Sequence, residues 1–143
     1  MTEQHIYIPK HVYGEMIAYC ASQLPHEACG ILIGEIVEDA ASIHSFSPLL
    51  NVDSNPRHRF TIDQAEWTRH LFRLAAKSKS IIGLVHSHPS SAPTPSSADL
   101  ATEWHTICSH WIISYIEPCT PAVAAYRFLS NRRFQHLSYT LTG

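Results

Sequence analysis

Two short apolar runs constrain this chain most: ACGILIGEIV at residues 28–37 and IIGLVH at residues 81–86. Both are rich in β-branched residues and lack polar alternation. The first reads as a buried strand and the second as a central strand covered on both faces. A strand with two buried faces belongs inside a layered sandwich. The 143 residues suffice for one domain with a real core and leave no room for two. Hydrophobic residues make up 45% and charged residues only 15%, so the chain is a compact globule rather than a disordered one.

The remaining segments fit that frame. Residues 4–8 (QHIYI) read as a strand. Pro9 suits a helix N1 position, and Val12, Met16 and Cys20 recur at helical spacing until Pro25. A strand at 41–47 should pair with 28–37, and 48–59 (PLLNVDSNPRHR) is a polar, turn-rich loop. Asp63 and Glu66 open a second helix with Trp67, Leu71, Leu74 and Ala75 on its apolar face. After a Pro- and Ser-rich loop at 89–98, a third helix should start near Ser96 and run through Leu100, Trp104 and Ile107. Strands at 110–117, 122–129 and 132–139 complete the pattern. The expected fold is α/β (α+β): a single mixed β-sheet packed with helices in one domain, residues 1–143.

A net charge of −2 gives no pull towards nucleic acid or anionic membrane. No apolar run approaches the ~20 residues that span a bilayer. The opening MTEQHIYIPKHVYG lacks a signal-peptide pattern, so the cytoplasm is the expected location. Cys20, Cys29, Cys108 and Cys119 form no CxxC pair and are expected as reduced thiols, mostly packed as small hydrophobes. Histidine is the unusual component, with 11 residues against 10 Lys and Arg together.

The informative segment is His86-Ser87-His88-Pro89, followed by Ser96 and Asp99. Side chains two apart on a strand point to one face, so His86 and His88 present two imidazoles together. The Pro-rich loop turns the chain back, and an acid opening the next helix reaches the same point. Two His and one carboxylate are the three protein ligands of a catalytic zinc site. Pro89, Pro93 and Pro95 restrict the loop's freedom and lower the cost of holding Asp99 in place. The same residues have plainer uses. Histidines at i, i+2 are often only hydrogen-bonded, and Ser96-x-x-Asp99 is also a capping-box pattern. The joint arrangement favours a metal site.

HSHPSSAPTPSSAD resembles the H-x-H-x7-S-x-x-D signature of the JAMM metalloproteases (MPN-plus or JAB-type), zinc isopeptidases that include deubiquitinases. PHEACGILIG resembles the segment carrying that family's glutamate, and RFTID at 59–63 follows the family's order. The resemblance covers nearly the whole chain. It implies a JAMM/MPN domain of cytidine-deaminase-like architecture. It also implies that His86, His88 and Asp99 bind Zn2+ with a water as fourth ligand. Glu27 would then be the general base and Ser96 the oxyanion donor. Without it, Glu27 reads as a solvated residue. Glu35, Glu38 and Glu103 are rival carboxylates left on the surface. Cys29, near His26, is a possible thiol nucleophile but reads as packing. GILIG lacks phosphate-loop spacing, the Arg57–Arg59 and Arg132-Arg133 clusters are too small for nucleic acid, and the zinc-deaminase signature is absent.

The short chain resembles the compact prokaryotic form of the family. The resemblance implies hydrolysis after the C-terminal Gly-Gly of a ubiquitin-like or sulfur-carrier protein, the tail binding by strand addition at a sheet edge. Three other readings stand beside it. One is release of cysteine or another amino acid from a carrier protein in sulfur metabolism. Another is a non-catalytic MPN scaffold module, and the third is a link to DNA repair through bacterial proteins sharing an HxHP…PS…D motif. The neutral charge argues against the last. Oligomeric state is not legible.

Overall fold

The computed structural model describes residues 5–101 and 106–143. Glu103 and the expected continuation of the third helix through Trp104 lie outside the described residues. In chain order the elements are β1 (His5–Pro9), α1 (Lys10–Ser22), β2 (Cys29–Val37), β3 (Ala40–Leu49), α2 (Gln64–Ala75), β4 (Ser80–His88), α3 (Ser97–Leu100), β5 (His110–Ser114), β6 (Ala122–Phe128), β7 (Phe134–Leu137) and β8 (Thr140–Thr142). The strands form one mixed sheet in the order β7-β6-β5-β4-β2-β3-β1-β8. β1 runs parallel to β3 and β8, and β4 parallel to β5, while the other pairs are antiparallel. This is the expected α+β architecture, with the 81–86 run at its centre.

Helices cover both faces. On one, Val12, Met16 and Cys20 of α1 are fully buried against Ile6, Ile8, Leu32, Val85 and Trp111. Burying a side chain of Met or Val size contributes about 1.5–3 kcal/mol, so this stripe anchors α1. Pro9 is the N-cap rather than N1, because its extended backbone also ends β1 and strand passes directly into helix. On the other face, Trp67 and Leu74 of α2 pack with Ile31, Leu49, Ile62 and Leu84. Leu71, expected on that face, is 47% exposed. The helix touches the sheet along a narrow line through Trp67 and Leu74, two turns apart, and Leu71 falls to its side. Asp63 caps α2 as expected, accepting the Glu66 amide at 3.1 Å, while the Glu66 carboxylate accepts the Leu50 amide at 3.1 Å.

The expected strand at 132–139 is shorter, β7 alone, and a further strand that the sequence did not announce, β8, follows it. β7 pairs with β6 at one edge, and β8 pairs with β1 at the other. Only Ser138 and Tyr139 separate them. Three Cα steps span at most ~11 Å, so the sheet curls until its edges nearly meet. Tyr139 holds the crossing, with its ring 4.7 Å from that of Trp111 and its hydroxyl 2.9 Å from that of Tyr13.

A bulge in β4 sets the face on which the functional residues lie. Leu32 pairs with Gly83 but Ile33 with Ile81, leaving Ile82 unmatched. A Cβ on Gly83 would lie 2.8 Å from both Ser109 Oγ and Trp111 Nε1, so only glycine fits there. Beyond the bulge, Leu84, His86 and His88 alternate onto the α2 face while Val85 joins the α1 core.

Candidate active site

β4 carries His86 and His88 at its C-terminal end, 2% and 5% exposed. His86 lies between Cys29 of β2 and Ile112 of β5, and His88 lies beside Ser114 of β5. Ser87, between them, faces the other way. Its amide donates to Ala28 O at 3.0 Å and its Oγ accepts the Ala28 amide at 2.8 Å. The histidine pair is thereby tied to the residue that follows Glu27.

The Pro-rich loop is pinned by three donors. Ser114 Oγ donates to Ser91 O at 2.6 Å, Tyr126 Oη to Pro93 O at 2.5 Å, and His88 Nδ1 to Ala92 O at 2.8 Å. A carbonyl only accepts, so His88 carries a proton on Nδ1 and turns its Nε2 into the site.

At the far end of that loop, Ser96 and Asp99 form a reciprocal capping box. Ser96 Oγ accepts the Asp99 amide at 3.0 Å, and Asp99 Oδ2 accepts the Ser96 amide at 2.9 Å. The plain capping use and the site use are therefore one arrangement. The same carboxylate reaches His86 Nε2 at 3.2 Å and His88 Nε2 at 3.1 Å, and the two imidazole nitrogens are 3.1 Å apart. Zinc–ligand bonds of about 2.0–2.1 Å at tetrahedral angles put neighbouring ligand atoms about 3.3 Å apart. His86 is nearest Asp99 Oδ1 and His88 nearest Oδ2, and one ligand atom from each of the three residues lies within 4.8 Å of the others, close enough to share one ion. A neutral His88 would turn its Nε2 lone pair to a carboxylate oxygen that has no proton to give, so a proton or a bound cation belongs between them. Two imidazole nitrogens with a carboxylate are a donor set that suits zinc.

Electrostatics agree with that shape. Burial favours a neutral Asp99, but hydrogen bonds and charge from His86, then His88 and the Ser96 amide, outweigh it and hold the carboxyl well below its usual range. Burial disfavours a charged His88, yet hydrogen bonds to Asp99 and Ala92 raise it overall.

These residues open onto a cavity of about 230 Å3 lined by Glu27, Ser96, His86 and Asp99 together with Asp53, Arg59, Phe60 and His110. Glu27 sits in the turn before β2, half-buried, with its amide donating to Pro56 O at 2.7 Å. Burial raises its carboxyl above the usual range, His86 and His88 oppose this, and Asp99 and Asp53 reinforce it. Ser96 is exposed to the cavity. Since its Oγ already accepts from Asp99, its own proton remains as the group to donate. All five residues singled out in the sequence thus meet in one place.

The rival residues do not join them. Cys29 is fully buried, and burial pushes its thiol up to about 12, which removes any nucleophilic thiolate near neutral pH. Glu35 is exposed and pairs with His44 at 3.8 Å, and Glu38 is exposed beyond β2. Sequence reasoning did not find Phe60, stacked on His86 with ring centroids 4.7 Å apart. Nor did it find His110, stacked on Phe128 at 3.9 Å, or Asn51, which bonds the Glu27 carbonyl at 2.8 Å. An aromatic or Asn in a turn-rich segment carries no local signal of such a use.

Among the described residues no helix is long and apolar enough to cross a membrane. Comparison with known proteins places the geometry in context. The chain is 34% identical over 79 residues to a desampylase of Haloferax volcanii, covering 55% of each chain. It is 24% identical over 102 residues to the tail tip assembly protein K of Escherichia phage N15, covering 71% of this chain and 38% of that one. The chain therefore matches about half or less of the length of these curated relatives. A solution structure of a Desulfitobacterium hafniense protein superimposes with a TM-score of 0.84 at 28% identity, covering 96% of this chain and 92% of the other. One from Salinibacter ruber gives a TM-score of 0.67 at 20% identity, covering 95% and 90%, and shares the fold. The family model described as prokaryotic homologs of the JAB domain matches residues 9–129, most of the length. The chain belongs to this JAB-domain, or JAMM, family.

Proposed function

We propose that residues 1–143 act as a single catalytic domain, a zinc-dependent peptidase or isopeptidase. It hydrolyses the bond after the C-terminal Gly-Gly of a ubiquitin-like or sulfur-carrier protein, in the cytoplasm. The observation that carries this reading is the convergence of His86 Nε2, His88 Nε2 and the Asp99 carboxylate beside the cavity that Glu27 and Ser96 line. Family membership and the similarity to a desampylase support removal of a small-protein modifier.

His86, His88 and Asp99 would hold the ion. Bound zinc supplies Lewis-acid polarisation of the scissile carbonyl and lowers the pKa of water from 15.7 to about 7. Glu27 takes a proton from the attacking water and passes it to the departing amine. Its raised carboxyl suits that exchange, because a general base works best when its pKa approaches the working pH. Ser96 donates its hydroxyl proton to the developing oxyanion. The cavity of about 230 Å3 is smaller than the ~300–1,000 Å3 of drug-sized pockets, which suits an extended tail without side chains.

In the strand order β4 lies three strands from β7 and four from β8. Residues of the loop at 53–61 line the cavity itself, so a tail reaching the site runs along that loop.

Intact-mass measurement tests the reading. Zinc-loaded protein is incubated with ubiquitin-like carriers extended past Gly-Gly, with and without chelator. Loss of the extension only in the absence of chelator is expected. Chelator-insensitive cleavage, or an uncleaved panel of carriers and isopeptide conjugates, would overturn it.

A further inference from the structure

Glu27 lies outside any regular element, so neither a helix nor a strand ladder holds its backbone. Its amide is held by Pro56 O at 2.7 Å, and its carbonyl by a side chain. Asn51 Nδ2 donates to the Glu27 carbonyl at 2.8 Å and to the Arg59 carbonyl at 2.9 Å. Asn51 Oδ1 accepts the amides of Thr61 at 3.0 Å and Asp53 at 3.1 Å. A carboxamide has two donor hydrogens and two acceptor lone pairs, and Asn51 uses all four. Its own backbone is fixed as well, through the bridge to Ile62 that follows the end of β3.

The four bonds join two walls of one cavity. Glu27 stands on one wall, while Asp53, Arg59 and Thr61 belong to the loop that forms the other. That loop answers from its far side, where Pro56 O accepts the Glu27 amide at 2.7 Å. Asp53 knots the loop internally, accepting Thr61 Oγ1 at 2.7 Å and the Asn55 amide at 2.8 Å. Asn51 is the side chain that ties this knot to Glu27.

We propose that Asn51 is a positioning residue, which sets the Glu27 carboxylate against the His86–His88–Asp99 group and fixes the 53–61 loop over the cavity. The proposal rests on Glu27 acting as the base. It gives Asn51 no part in holding the metal, because its bonds go to Glu27 and the loop and none reaches His86, His88 or Asp99. A small displacement of a base from its proton costs large factors in rate, so the effect falls on turnover.

The test uses Asn51→Asp and Asn51→Ala in the full chain. Aspartate matches asparagine in shape but has no donors for the Glu27 and Arg59 carbonyls. Expected for Asn51→Asp are unchanged zinc stoichiometry, a kcat at least tenfold lower, and KM changed less than kcat. In Asn51→Asp the Asp53 and Thr61 amides keep an acceptor, so the expected change is at the Glu27 amide, whose bond to Pro56 O spans the same junction. That amide should exchange at least tenfold faster, with β4 and β5 amides unaffected. Asn51→Ala, which also removes the Oδ1 acceptor, should quicken Asp53 and Thr61 as well. Unchanged exchange at the Glu27 amide in Asn51→Asp would overturn the proposal whether or not the protein cleaves any substrate tried. So would faster exchange with undiminished kcat in an active enzyme, or loss of zinc in proportion to loss of rate. An inactive wild type would overturn the isopeptidase reading alone, since exchange still decides the role of Asn51. If Asn51→Ala does not fold, Asn51→Asp carries the comparison.

Discussion

Asp99 Oδ2 lies 3.1 Å from His88 Nε2, although the two stand eleven positions apart in the chain. The same oxygen accepts the Ser96 amide at 2.9 Å. One carboxylate therefore closes a helix cap and completes the His86, His88 and Asp99 group. The position of the acid is fixed by backbone on one side and imidazole on the other. Preorganisation of this kind lowers the cost of assembling a metal site.

Metal removal should destabilise the protein. A ligand at about 1,000 times its Kd adds about 4 kcal/mol, and a chain of this size shifts by roughly 2–4 °C per kcal/mol, so chelation is expected to lower Tm by roughly 10 °C. Asp99→Asn or His88→Ala should abolish both the metal content, read by elemental analysis, and the response of Tm to chelator.

Glu27→Gln removes a base and not a proposed ligand. Zinc content should stay at one per chain while kcat drops by about 10²–10⁴-fold. Full activity in this variant would refute the assignment. Glu27 accepts a proton only when ionised, and burial raises its carboxyl above the usual range. The acid limb of kcat/KM should therefore lie above the ~4.3 of an ordinary glutamate, with activity lost as pH falls through it.

Ser96→Ala should show two separable losses. Removal of the cap acceptor costs about 0.5–2 kcal/mol and lowers Tm in metal-free and metal-loaded protein alike. Removal of the hydroxyl donor costs about 10²–10³ in kcat and is visible only in kinetics.

Thiol alkylation should follow burial. Cys119 is exposed, whereas Cys20 and Cys29 are fully buried with thiols pushed up to about 12. Iodoacetamide at neutral pH is expected to modify Cys119 first and to leave Cys20 and Cys29 intact, as peptide mapping would show. Fast labelling of Cys29 would restore it as a candidate nucleophile.

Gly83→Ala should disturb the site from a distance. The added Cβ meets Ser109 Oγ and Trp111 Nε1 at 2.8 Å, and overpacking of this kind costs about 1–3 kcal/mol. The histidine end of β4 lies just beyond, so zinc affinity should fall along with Tm, as metal titration and calorimetry would record.

Local sequence determined what depends on neighbours along the chain. The apolar runs specified strands because a backbone buried on both faces must pair its polar groups within a sheet. The spacing of His86 and His88 specified a shared face, and Ser96-x-x-Asp99 specified a helix start, because strand alternation and helix capping act within a few residues. Tertiary structure decided what depends on residues far apart. β8 escaped the reading because its three residues pair with β1, at the other end of the chain. Leu71 has the right period but faces solvent, because the sheet and not the helix chooses the buried line. Glu27 reached the histidines through pairing of Cys29 with His86, a contact not legible in the sequence, where only the family resemblance singled out Glu27. Asn51 reads in sequence as one more turn residue, and its four bonds exist only once β3, the 53–61 loop and the start of β2 have been brought together. Hydrogen bonds of that kind have no period and no spacing, so folding alone discloses them.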